Sequence, residues 1–247
     1  MKQIHPLYRS TYTGEDIVVN RTLKDGKWTH ESTTLRAATT GNQYSSNSKA
    51  LVIGNGESRA RFDLNEVKHH KNGAISAGAL QTYGCNALHR DYAPHFLVVT
   101  NDEIIDEVIG SDYTTTNIVY ANLNNVSKFY TQLYRIPQDP CWDAGAMAAY
   151  MACFDGHSTV FLIGFDGIDS QDHSYNMYQG TSGYPELENG YSEEFWVRTM
   201  GRVFAAYPEV DFVRVMPTSS YRIPAEWKWA SNFRQIDFNQ FVNEVDL

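Results

Sequence analysis

Lys49-Ala50-Leu51-Val52-Ile53-Gly54-Asn55-Gly56-Glu57-Ser58 is an apolar run that stops at a glycine-punctuated turn. A short apolar run of about 4–8 residues bounded by turn signals reads as a strand buried on both faces, the kind that parallel sheets are made of. Four further runs share that character: Phe96-Leu97-Val98-Val99, Asn117-Ile118-Val119-Tyr120, Val160-Phe161-Leu162-Ile163 and Phe212-Val213-Arg214-Val215. The segment from Gly78 to Tyr83 is one more candidate. Helical patterns lie between them, at Ser58–Lys68, Asp102–Ile109, Asp143–Phe154 and Ser192–Tyr207. Asp143 is placed as the N-cap of Ala144-Gly145-Ala146-Met147-Ala148-Ala149-Tyr150-Met151, whose small side chains let a helix sit close to a sheet. Strands alternating with helices predict an α/β fold, a Rossmann-like, mostly parallel sheet with helices on both faces.

The first 48 residues have a different texture, rich in Thr, Ser, Asn and Gly. Asp16–Leu23 and Lys27–His30 flank Lys24-Asp25-Gly26, and Asp-Gly supplies the positive φ of a tight turn, so a small β-hairpin is expected there. A polar connector, Thr39–Ser48, joins this appendage (residues 1–48) to the main Rossmann-like domain (residues 49–247) with its C-terminal tail. Trp227 and Trp229 are expected to anchor that tail. The 247 residues carry 20 Lys+Arg against 29 Asp+Glu, a formal charge of −9. With no basic stripe to offset it, nucleic acid and anionic membranes are poor partners. The longest apolar stretch, Ala144–Phe154, is far short of the ~20 residues of a spanning helix, and the start has no apolar signal core. A soluble, cytoplasmic chain with no transmembrane segment is the expectation. Cys85, Cys141 and Cys153 lack metal or redox spacing and read as reduced structural thiols.

Chemistry is expected where strands end. Gly54 and Gly56 permit close backbone approach to a phosphate, while Asn55 and Ser58 are placed to donate hydrogen bonds to it or to a ribose. The turn has neither the third glycine of the dinucleotide fingerprint nor the lysine of a P-loop. Asp166 emerges after the fourth strand, positioned to bind a sugar hydroxyl, take a proton or hold a cation. Asp169, Asp172 and His173 follow within seven positions of it. Asn86 can contact a base or sugar. The histidines lie in unrelated segments and read as structural, and no residue set has metal-ligand spacing.

In order, Ile53-Gly54-Asn55-Gly56-Glu57-Ser58, Cys85-Asn86, Asp143-Ala144-Gly145, Leu162-Ile163-Gly164-Phe165-Asp166 and Val213-Arg214-Val215-Met216-Pro217 resemble one known group. It is the bacterial sialyltransferases that use CMP-sialic acid, with their relatives among motility accessory factors and hydroxymethylpterin diphosphokinase-like proteins. The resemblance spans about Lys49 to Pro217. It implies nucleotide contacts for Asn55, Ser58, Asn86 and Asp166, and a place for Tyr175 at the leaving phosphate, with Tyr178 a looser candidate. Three places depart from the family: Asp143 stands where a carboxylate-binding Thr-Ser-Gly helix start is expected, Gly190-Tyr191 where the base histidine is, and Glu57 where the family usually has Pro.

The resulting expectation is a glycosyltransferase-like enzyme that binds a nucleotide or nucleotide-sugar donor. Asp166 and Tyr175 are its catalytic candidates; Gly54, Asn55, Gly56, Ser58, Asn86 and Asp166 form the nucleotide cradle. A Mg²⁺-dependent phosphoryl-transfer variant uses Asp166 and Asp169 as ligands. The opposing expectation is a non-catalytic binding or assembly module, a homo-oligomer whose N-terminal hairpin pairs onto a neighbour. Tyr175, Tyr178, Tyr184 and Tyr191 are grouped so that they can stack on sugar faces.

Overall fold

The computed structural model describes residues 4–10, 16–24, 27–35, 49–69, 80–129, 131–166, 176–186 and 193–247. Three antiparallel strands, β1 (Ile4–Ser10), β2 (Asp16–Lys24) and β3 (Lys27–Leu35), form a small sheet in the order β1-β2-β3. The expected hairpin is thus β2–β3, paired from Ile17 with Leu35 to Lys24 with Lys27, and β1 adds a third strand. Asp25-Gly26 and the 39–48 connector lie outside the described residues.

The rest is built on one eight-stranded sheet. Its strands are β4 (Lys49–Ile53), β5 (Gln81–Cys85), β6 (Phe96–Val99), β7 (Ile118–Ala121), β8 (Tyr134–Arg135), β9 (Thr159–Ile163), β10 (Asp211–Met216) and β11 (Phe233–Asp237). They lie in the order β11-β10-β9-β4-β5-β6-β7-β8, and every pair is parallel. The chain therefore builds outward from β4 to β8, returns to β4 as β9, and builds outward the other way. This reversal between β4 and β9 is a topological switch point, and open α/β sheets hold ligands in the crevice it leaves at the strands' carboxyl ends.

Side chains alternate across the sheet as a period of two demands. Ala50, Val52, Val160 and Leu162 face one layer, with α4 (Ala144–Phe154) and α5 (Glu193–Ala206) packed on it. Leu51, Ile53, Phe161 and Ile163 face the other, under α1 (Leu64–His69), α2 (Asp102–Gly110), α3 (Leu123–Lys128) and α6 (Phe238–Val245). Nearly all of α4 is buried, and Ala146, Ala148, Ala149 and Ala152 bring its backbone close to β4, β5 and β6. A helix apolar all round belongs in an interior. Asp143 is its N-cap as expected, with the carboxylate accepting from Ala146 N at 3.0 Å.

Two expectations are corrected. Ser58–Lys68 is no continuous helix: a 3-10 turn at Glu57–Arg61 gives way at Phe62 to α1, because Ser58 is tied back to Asp166 and Asp63 starts a new turn by accepting from Asn65 N at 2.9 Å. The C-terminal residues are also more than a tail, since β11 and α6 extend the sheet and cover one face. Trp227 is fully buried and donates to Val197 O at 2.8 Å, whereas Trp229 is 58% exposed and anchors little. No helix among the described residues is long and apolar enough to cross a membrane.

Candidate functional site

The switch point is closed by backbone. Gly54 N donates to Ile163 O at 2.8 Å and Gly56 N to Gly164 O at 2.9 Å, so the pairing of β4 with β9 continues into both exit loops. A Cβ on Gly54 would sit 2.5 Å from Gly164 O, and one on Gly56 would sit 2.5 Å from the Asp166 carboxyl carbon. Gly164 itself has φ +72°, a conformation that suits glycine. The close approach that the glycines serve is therefore to the neighbouring chain segment, where the sequence suggests a phosphate.

Asp166 lies against the turn after β4. Ser58 N donates to its Oδ2 at 2.8 Å and Ser58 Oγ donates to its Oδ1. Burial holds this carboxyl above the ordinary range, opposed by the Ser58 hydrogen bonds and by the charges of Arg214 and Arg59. Arg214 is wholly buried and fixed by Phe165 O at 2.8 Å, Arg222 O at 2.8 Å and Gln235 Oε1 at 3.0 Å. Ser58 thus spends both donors on Asp166, and an internal carboxylate occupies the position where a ligand anion was expected. Asp143 does the same at the start of α4: its carboxyl caps the helix amides, accepts from Thr199 Oγ1, and is raised in pKa chiefly by burial.

Beside this pair a cavity of about 230 Å³ opens at the carboxyl ends of β4, β5 and β9. Gly54, Asn55, Gly56, Asn86 and Asp166, all proposed from sequence, line it together. Asn55 is 8% exposed; its Nδ2 donates to Tyr184 Oη at 3.1 Å, and its Oδ1 is buried with no hydrogen-bond partner. Asn86 sits in the left-handed region at φ 45°, accepts from Thr100 N at 3.0 Å and bonds the Tyr184 hydroxyl. Burial pushes the Tyr184 phenol up to about 12, so it stays protonated at neutral pH.

The remaining walls come from residues that sequence reasoning did not select. Phe165 and Trp196 have ring centroids 6.3 Å apart, and Phe195, 59% exposed, stands at the opening. Asn176 enters through its bridge to Gly56. These residues come from α5 and from the segment after β9, about 110 to 140 residues away from the glycine turn in sequence, and no local pattern marks them. Cys85 lies at the floor, with its thiol pushed up to about 12 by burial, which leaves it unreactive.

Tyr178 does not line the cavity; its hydroxyl is turned to Arg59 and Asp91. Tyr175, Tyr191, Asp169, Asp172 and His173 lie outside the described residues. Among the described residues no group of three His, Cys, Asp or Glu side chains is arranged to hold a metal ion. Among the described residues the lining offers one carboxyl group, Asp166, and no lysine, arginine or histidine. What they present is an aromatic-walled, amide-rich pocket suited to an uncharged ring with hydrogen-bonding edges.

Comparison with known proteins leaves this geometry to speak for itself: no protein-family model matches the chain, and neither a curated protein nor a solved structure is significantly similar to it.

Proposed function

We propose that the chain is a nucleotide- or nucleotide-sugar-binding transferase resembling the bacterial sialyltransferases, with the nucleoside end of the donor in the cavity at the switch point. The observation that carries this reading is Asn55: a buried amide oxygen without a partner, lining a cavity at the crevice where open α/β sheets take ligands. An unmade hydrogen bond of this kind costs about 1–3 kcal/mol, which a ligand donor would recover. Phe165 and Trp196 offer ring faces for a base or sugar, and Asn86 and Tyr184 hold the amide edge in place.

Asp166 is the titratable group at the reacting end. Ser58 fixes its orientation, and its raised pKa makes it a better proton acceptor than an exposed carboxylate, so it binds a sugar hydroxyl or takes the acceptor's proton. In glycosyl transfer the bond from the sugar to the donor phosphate breaks as the acceptor oxygen bonds to that carbon, and the phosphate leaves with the electron pair. The phosphate lies outside the cavity, because the two amide-rich turns facing it are already capped by Asp166 and Asp143.

A panel of CMP, CDP, UDP, GDP, ATP and CMP-sialic acid, each with and without Mg²⁺, tests this through thermal stability. One nucleotide raises the unfolding temperature, and Asp166→Asn abolishes release of CMP from CMP-sialic acid while binding remains. A shift that requires Mg²⁺ would favour the phosphoryl-transfer variant. A flat panel would overturn the reading in favour of a non-catalytic assembly module.

A further inference from the structure

We infer that Arg59 is a positioning residue for the cavity, acting through Tyr178 to hold the wall segment Asn176–Tyr184 in place. Only the ligand part of its test rests on the reading above. Arg59 follows the glycine turn in the 3-10 turn after β4 and is 3% exposed. Its Nη1 lies 3.2 Å from Asp91 Oδ2, and its Nη2 donates to Tyr178 Oη at 2.7 Å. The Tyr178 hydroxyl in turn donates to Asp91 Oδ1. The Arg59 Cδ passes under Gly164, 3.1 Å from where a Cβ would be. One guanidinium thereby ties together the loops that leave β4, β5 and β9, the three strands whose ends make the pocket.

Two guanidinium groups pack on the Tyr178 ring, with the Arg59 and Arg90 guanidinium carbons 5.7 Å and 5.6 Å from its centroid. Arg90 adds an outer clasp, donating to Thr181 Oγ1 at 2.7 Å and to Ser182 O at 2.9 Å while Glu107 holds its other edge. The segment so fixed presents Asn176 and Tyr184 to the cavity, and Met177 N donates to Asn55 O at 2.9 Å. None of Arg59, Asp91 and Tyr178 touches the cavity itself. A buried guanidinium is costly to desolvate, and a planar fork is the group that satisfies two partners on separate loops at once; a lysine ammonium does not reproduce that geometry.

Hydrogen exchange tests the role without any ligand. In Tyr178→Phe and in Arg59→Lys, the amides of Met177 and Tyr184 should exchange at least 10-fold faster, while those of β4 and β9 keep their wild-type rates. In parallel, the dissociation constant for CMP should rise at least 5-fold. Wild-type protection of Met177 and Tyr184 in both variants would overturn the inference, as would acceleration spread evenly over β4 and β9, which marks a merely structural residue. If the wild-type chain binds no CMP, the proposed function fails on its own, and the exchange rates still decide the role of Arg59.

Discussion

The two ends of the central sheet both bury polar side chains, and they do so for opposite purposes. At the amino end, Tyr83 donates to Asp155 Oδ2 at 2.6 Å and lies 3.2 Å from His157 Nε2, which is 2.9 Å from Gln81 Oε1. That cluster sits beneath the C-terminus of α4 and ties the start of β5 to the turn that leads into β9. At the carboxyl end, Asn55, Asn86, Tyr184 and Asp166 surround a cavity and leave one amide oxygen unmatched. Buried polar groups that satisfy one another hold a fold together, whereas a buried group left waiting beside open space points to a ligand.

The largest test of this contrast is pH. Burial raises Asp155 to about 7 and lowers His157 to about 3, so the folded pair is a neutral acid beside a neutral imidazole. The raised Asp155 favours folding at low pH, and that contribution is lost as pH climbs through about 7. The depressed His157 favours folding above 6.5, and its contribution is lost as pH falls toward about 3. From 3.8 to 6.5 the folded and unfolded pairs each carry one proton, and the two effects cancel. In Asp155→Asn only His157 titrates, so stability should rise with pH by about 1.4 kcal/mol per unit across that window. Urea midpoints measured against pH check it; equal slopes in the two proteins would break the pairing.

Next in size is Gly54→Ala. Its methyl group meets Gly164 O at 2.5 Å, backbone against backbone, and should cost about 1–3 kcal/mol in denaturant unfolding together with nucleotide binding. Tyr83→Phe should cost about 1–2 kcal/mol by leaving Asp155 without its donor, yet leave nucleotide binding unchanged in a calorimetric titration. The smallest change in stability belongs to Asn55→Ala, within about 1 kcal/mol of wild type, since one of its amide atoms already lacks a partner.

The sheet's centre was legible because strands buried on both faces are continuous apolar runs, as in Ala50–Ile53 and Val160–Ile163. Its edges were not. Along Phe233–Asp237 only Ile236 is fully buried, and β8 is two residues long, so neither leaves an apolar signature. The position of the cavity was readable too, from a glycine turn and an aspartate at strand ends. Its wiring was not, because Ser58 and Asp166 are 108 positions apart and nothing local shows that one satisfies the other. Tyr178 illustrates the same limit: its place near the strand ends was visible, but the turn of its hydroxyl toward Arg59, 119 positions away, was not.

The decisive experiment is thermal unfolding of the wild type, Asn55→Ala and Tyr83→Phe with and without saturating CMP. At a concentration 100 times the dissociation constant a ligand adds about 2.7 kcal/mol, roughly 5–10 °C for a chain of this size. The wild type and Tyr83→Phe should both show that gain, and Asn55→Ala should show a clearly smaller one. An equal gain in Asn55→Ala, or none in the wild type, would contradict the assignment of the carboxyl-end cavity as a nucleotide site.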